Sequence, residues 1–374
     1  MAVYKFFPTK DTFITSDIPE GNNGKDEIVE LNSDVVGLGR ERVSRILTAF
    51  DIDKIKDILT KLNAPFNEVE AELVYYLAEA HQAPIDITIE TSPIYLQQGV
   101  ETWEQGVGKY LDIPTNKTGV SWKFLNAQQD PWLVGGLPQG VVQSDGQEMG
   151  GGTWFEQFQG TSVKGIQTFN LSDRLDIRNN ITPAIRNILT DQLPNNGFIT
   201  KLGDNIEFDP NYRVSLKYFG KDTNTIFPPS LDIKWNDYIY NPGDLEEITT
   251  SQAEIYINNN KSKYSEQSIS RFRLTVRPTY PTRVLSSESL YLKNFILPEG
   301  SLWGIKDEDT QEMVIPFDED FTKISCDEKG MYFTVYMDGL QPERYYRIFI
   351  KTEIDGSTVI EHSLNNVFKV VRNG

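Results

Sequence analysis

"MYFTVYMDGLQPERYYRIFIKTEIDGSTVIEH", residues 331–362, carries the clearest β pattern in the chain. Aromatic and β-branched residues dominate 331–337, which reads as a strand. A corner follows at 338–346. In "RIFIKTEI" (347–354), Ile348 and Ile350 fall on the same side as Tyr346, and Arg347 and Lys351 fall on the other. That is the period of two of a half-buried strand. Asp355-Gly356 is the dipeptide of a two-residue hairpin turn, and "STVIEH" (357–362) is the return strand.

Outward from this hairpin the same texture continues. "SRFRLTVRP" (270–278) opens the second β block. Before it, "NDYIYNPGDLEEITTSQ" (236–252) is acidic and rich in turn residues. The expectation is a first domain over 1–240, a linker or linking hairpin over 241–264, and a second domain over 265–374. Upstream, strand-like runs recur at 43–50, 71–80, 85–92, 213–219 and 230–235. Turn signals separate them: "GNNG" at 21–24, "DG" at 145–146 and "PNNG" at 194–197. Two segments read as short helices. "DKIKDILTKL" (53–62) has Ile55, Ile58, Leu59 and Leu62 at helical spacing, with Asp53 as N-cap. "TPAIRNILTDQ" (182–192) has Thr182 at the cap and Pro183 at the first helical position. No internal repeat is found. The fold class expected is all-β, with two connector helices.

Composition narrows the function. The chain has 54 acidic and 36 basic residues, a net charge of −18, which disfavours direct binding to phosphate backbones and to anionic membranes. Cys326 is alone, so no intramolecular disulfide framework exists. Lys5, Pro8 and Lys10 interrupt the opening where a secretion signal needs an apolar run, and no stretch is apolar enough to span a bilayer as a helix. Synthesis in a reducing cytoplasm is the expectation.

Tests for chemistry return little. His81 and His362 have no obvious partners in sequence, and no G-x-S-x-G elbow surrounds a serine. One cysteine and two distant histidines do not make a zinc set. "DIDKIKD" (51–57) begins like a calcium loop but lacks its later glycine and glutamate, and helix capping accounts for it. "DEDTQE" (307–312) and "DEDF" (318–321) read as solvated loops. "GLGR" (37–40) and "GGG" (150–152) lack the spacing and ending of a phosphate loop. No enzyme activity, cofactor or metal is expected.

A series of motifs carries a resemblance. "PTKDTFI" (8–14), the "NNG" turn (22–24), "RILTAFDI" (45–52), "ELVYYLAEA" (72–80), "WEQGVG" (103–108), "GVSWKF" (119–124), "LDIRNNITPAIRNIL" (175–189), and "LPNNGFITK" (193–201) with "PPSLDIKW" (228–235) stand in order. Together they resemble the DNRLRE-type domain, a jelly-roll β-sandwich, over about the first 235 residues. The resemblance implies that Trp103 and Trp122 are packing residues that pin loops to the sandwich. The chain departs from the pattern in an enlarged loop at 130–158, whose "GGGTWF" resembles a variant found in tailed-phage structural proteins. Residues 265–374 resemble a fibronectin type III or immunoglobulin-like sandwich. Leu340, Pro342 and Tyr346 match its L-x-P-x-x-x-Y corner, in which the tyrosine hydroxyl bonds a backbone group.

These resemblances imply a structural protein of a tailed-phage virion, located in the neck or tail and forming a ring of its own copies beside other neck or tail proteins. A negative lining would let DNA slide. Trp132, Trp154 and Phe155 of the enlarged loop are the candidate subunit contacts. A carbohydrate-binding module is the alternative, in which Trp103, Trp122, Trp132 and Trp154 stack on sugars through exposed faces. A hydrolase ranks last, because no nucleophile or acid pair stands out.

Overall fold

A computed structural model describes residues 2–37, 39–82, 86–132, 136–143, 150–170, 173–209, 211–280 and 293–372. The "DG" turn at 145–146, residues 133–135 and 144–149 of the enlarged loop, and single positions 38 and 85 of other quoted stretches lie outside them. The chain is all-β with sandwich character. It divides into two compact units, Phe6–Ile233 and Met1–Lys5 with Lys234–Gly374.

In the Phe6–Ile233 unit the strand Arg40–Ala49 is the hub. Its residues 44–49 pair with Lys10–Thr15, 46–48 with Phe198–Leu202, and 40–43 with Ile28–Val36. Thr88–Pro93 and Gly165–Thr168 extend the sheet on one side, and Val214–Phe219 and Leu77–Gln82 on the other. A second sheet of this unit runs in the order Ser230–Trp235, Glu70–Tyr75, Ile177–Asn180. Tyr75 of this sheet meets Tyr218 of the large one edge-on, ring centroids 6.2 Å apart, and its hydroxyl bonds Thr48.

Three local expectations are corrected here. The run 71–80 is not one strand but the end of Glu70–Tyr75 and the start of Leu77–Gln82, which belong to different sheets. The break falls at Tyr76, whose ring packs on Phe227 at 5.3 Å while Asp176 accepts the Leu77 amide. The first helix is Ile52–Lys61, and Asp51 rather than Asp53 caps it by accepting the Lys54 amide at 3.0 Å. The second is Thr182–Leu189, capped at Ile181. Thr182 lies inside it and accepts the Ala71 amide at 2.9 Å, tying the helix to a neighbouring strand. A short third helix, Asp204–Glu207, follows Phe198–Leu202.

The second unit stacks Ala253–Asn258, Ile269–Pro278, Gly330–Tyr336 and Ser325–Asp327 in one antiparallel sheet. A second sheet contains Lys263–Ser265, Val367–Val371, Tyr345–Ile354, Leu302–Asp307 and Met313–Ile315, with Ser357–Glu361 also paired to Tyr345–Ile354. Residues 241–264 are therefore not a linker. Ala253–Asn258 and Lys263–Ser265 are strands, and Ile248, Ile255 and Tyr264 are in the core. Acidic and turn residues mask the alternation in which Ile255 points inward and Glu254 and Tyr256 outward. The first residues also join this unit: the Tyr4 ring lies 5.7 Å from Tyr336 and its hydroxyl donates to Asp338 at 2.5 Å.

The stretch that opened the reading behaves as its pattern predicts. Tyr346, Ile348 and Ile350 are buried, whereas Arg347 and Lys351 are half-buried on the other face. Asp355 and Gly356 both have positive φ, 51° and 68°, as a type I′ turn requires. The Tyr346 hydroxyl donates to the Gln341 carbonyl at 2.8 Å, and Leu340 is buried beneath the corner that Pro342 enters.

Candidate functional site

The long connection from Thr88–Pro93 to Thr153–Phe155 holds the loops that the sequence singles out. Their geometry centres on Asn22. Its side-chain amide donates to the carbonyls of Gln105 and Val120 at 2.8 and 2.9 Å, and its oxygen accepts the amides of Gly108 and Gly24 at 2.9 and 3.2 Å. A buried side chain thus replaces a strand partner for three separate segments. Glycine is required around it. Gly106 and Gly119 have φ of 78° and 110°, and a methyl group on either would overlap Asn22.

The tryptophans lie behind this staple. Trp103 is fully buried; its Nε1 donates to the Asn196 carbonyl at 2.9 Å, and Lys10 Nζ sits 4.6 Å from the ring. Burial holds the Lys10 ammonium below its ordinary pKa. Trp122 is buried against Gly150 and Gly151. Trp132 donates its Nε1 to Ser121 O at 3.1 Å. Phe155 meets Tyr95 edge-on at 5.4 Å.

This corrects the expected subunit contact. Trp132, Trp154 and Phe155 are 2%, 3% and 8% exposed within their own unit, so their rings have no face left for a neighbour. Trp103 and Trp122, at 0% and 2%, are packing residues. The four tryptophans likewise offer no platform to a sugar ring, because stacking needs an open face.

Charged side chains line the interior side of Trp154. Arg45 and Glu207 are each 1% exposed and form a bidentate pair at 2.7 and 2.6 Å. The Arg45 guanidinium also bonds the Gly151 carbonyl and lies 5.1 Å from the Trp122 ring and 5.0 Å from that of Trp154. Lys201, also 1% exposed, pairs with Asp204 and, at 3.2 Å, with Glu90. Lys164 joins Glu90 at 3.3 Å and Glu156 at 3.5 Å. Burial opposes both charges, yet the carboxylates hold Lys164 above its ordinary pKa and Lys201 holds Asp204 below its own. Among the described residues, Glu90, Glu156 and Asp204 place carboxylate oxygens within 4.8 Å of one another, as a metal site would require. Two lysines already engage them, so a cation would have to displace ammonium groups. Paired in this way, the charges neutralise one another inside the fold.

The remaining candidates are dispersed. His81 pairs with Glu79 at 2.9 Å in a half-exposed position, and His362 stacks on Phe349 at 5.7 Å in the other unit. The Cys326 thiol is buried, and burial pushes its pKa up to about 11, which removes the thiolate at neutral pH. Asp307 corrects the solvated-loop reading of 307–312. It is fully buried, accepts the Asp309 and Thr310 amides, and takes a two-pronged bond from Arg344 at 2.6 and 2.8 Å. Asp318 accepts the amides of Asp320 and Phe321, so it too organises its own turn.

Sequence reasoning missed one feature. Val107, Leu111 and Ile113 are 61%, 84% and 98% exposed in one loop. That loop is nevertheless held: Asp26 accepts the Tyr110 amide at 2.8 Å, Asp17 accepts the Tyr110 hydroxyl at 2.6 Å, and Asn22 binds Gly108. Its signal in the sequence is three aliphatics among glycine, lysine and proline, where a turn needs none.

Fold and site together define an all-β protein of sandwich character in which a buried asparagine and buried tryptophans hold the long loops of the Phe6–Ile233 unit. No protein-family model matches the chain, and no curated protein matches it in sequence. No helix among the described residues is long and apolar enough to cross a membrane.

Proposed function

We propose that the chain is a structural component of a bacteriophage virion, a ring-forming neck or tail protein that builds part of the DNA conduit wall. The observation that carries this reading is the loop 103–113. Its backbone is fixed by buried Asn22 and half-buried Asp26, yet it turns Val107, Leu111 and Ile113 into solvent. Burying aliphatic side chains of this size is worth about 1.5–3 kcal/mol each. A fixed loop that leaves three uncovered suits a contact with another copy, since ring contacts join different surfaces of neighbouring subunits. The net charge of −18 suits a wall that DNA slides along. The resemblance to the DNRLRE-type and fibronectin type III domains supports the same role, as does the engagement of interior charges with one another. Partners are copies of the chain and other neck or tail proteins, without tight nucleic-acid binding, membrane or cofactor.

Mass spectrometry of purified virions tests the reading. The expected result is the chain at about a dozen copies per particle or a multiple; its absence from particles overturns the proposal. Images of the purified protein should show rings that Leu111→Asp with Ile113→Asp disperses while the melting temperature holds. Rings that persist in that variant would move the contact elsewhere.

A further inference from the structure

The strand Ile269–Pro278 faces two ways. Phe272, Leu274 and Val276 enter the core, and Arg271, Arg273, Thr275 and Arg277 line the opposite face of the sheet. Register brings Tyr332 opposite Arg273 and Thr334 opposite Arg271 on Gly330–Tyr336, and Tyr256 opposite Thr275 on Ala253–Asn258. The guanidinium carbons of Arg271 and Arg273 lie 4.5 and 5.3 Å from the Tyr332 ring centre, so the ring holds both cations in place. Arg273 is neutralised by Asp327 at 2.7–2.8 Å. Arg271 and Arg277 have no ion pair among the described residues. The Arg277 Nε is buried without an acceptor, and the carboxylate opposite it, Glu254, takes the Tyr256 hydroxyl instead.

A chain with 18 more acidic than basic residues thus keeps, on one aromatic sheet face, two arginines with no carboxylate among the described residues at ion-pair distance. We infer that this face is the basic half of a contact with a second copy of the chain, whose acidic surface supplies carboxylates that pair directly with Arg271 and Arg277. The inference rests on the ring reading and names one surface of the ring contact. Exposed acids without an ion pair among the described residues, such as Glu319 and Asp320, are the kind of group it needs. DNA is the weaker fit. It carries a charge about every 1.7 Å with no positive groups between. Another copy has basic groups interspersed, and screening over about 8 Å leaves mainly the facing patches in contact. Arginine suits the role because its fork takes a carboxylate through two bonds.

The test is sedimentation velocity on the full chain at low and high salt, comparing wild type with Arg271→Glu/Arg277→Glu and with Arg271→Lys/Arg277→Lys. Near-UV circular dichroism establishes that each variant is folded. Wild type should assemble. The glutamate variant should assemble at least about tenfold more weakly, because like charges now meet, and the lysine variant should fall between. Two results overturn the contact: a wild type that stays monomeric, or a folded glutamate variant that assembles as well as wild type. A monomeric wild type that binds polyglutamate through this face would give it to a foreign acidic partner and also overturn the second-copy assignment. The ring reading is judged separately, by presence in virions, so a glutamate variant that still assembles removes only this surface.

Discussion

The two units bury their largest rings by different means. In the second unit Trp303, Phe333 and Phe272 sit on strands and stack in a row, with centroids 5.0 and 5.5 Å apart. Alternation along each strand is enough to aim them inward. In the Phe6–Ile233 unit, Trp103, Trp122 and Trp132 sit on loops. Their cover comes from glycines and from an amide 98 residues away, Asn22 on Val120. Strand burial follows from local period, whereas loop burial depends on a few long-range bonds. The loop unit should therefore fail at single polar positions where the strand unit does not.

The largest expected effect is at the staple. Asn22→Ala strands buried partners in three segments, each costing about 1–3 kcal/mol when left unmade. A loss of at least about 3 kcal/mol is expected in the first unit. Loops 103–108 and 116–122 should lose protection in hydrogen exchange while strands 269–278 and 345–354 keep theirs. Uniform loss across both units would break the comparison.

A smaller effect, of opposite sign, is expected at Asp11. Burial raises its pKa to about 6 against the bonding and charge of Lys221. The folded state then binds a proton that the unfolded state has released, so this group's contribution to stability falls as pH rises from the ordinary carboxylate value to about 6. Asp11→Asn should stabilise by about 1–3 kcal/mol at about pH 8 and confer nothing below about pH 4. Denaturant melts at the two pH values check it, and a gain that persists in acid would contradict the assignment.

The smallest effect is expected in the strand unit. Tyr346→Phe removes one hydrogen bond to Gln341 and leaves the ring, so about 1 kcal/mol should be lost, with the second unit's transition still cooperative. A loss as large as that at Asn22 would erase the distinction drawn here.

Much of the strand unit is legible in the sequence. The alternation of 345–354 and the Asp355-Gly356 turn need only the chemistry of neighbouring residues. The motifs 103–108 and 119–124 resembled a jelly-roll element, but nothing in them showed that Asn22 joins their loops. The fate of the enlarged loop was not legible. Trp132, Trp154 and Phe155 would suit an interface or a core equally in sequence; Trp132 and Trp154 join a buried cluster with Leu47 and Ile199, Arg45 and Lys201 reach Trp154 from distant strands, and Tyr95 covers Phe155. The uncovered aliphatics at 107, 111 and 113 were equally hidden, since exposure is a property of what packs nearby.

The all-β class, the hairpin and the tyrosine corner were set by the amino-acid sequence. Each rests on side-chain period or on backbone angles, which a residue and its near neighbours decide. Tertiary structure alone divided the run 70–82 between two sheets, drew residues 2–5 and 241–264 into the second unit, and paired Arg45 with Glu207. Those outcomes depend on which distant group satisfies a buried amide or charge. Such a partner is chosen by where the folded backbone places it, and the order of residues along the chain does not reveal it.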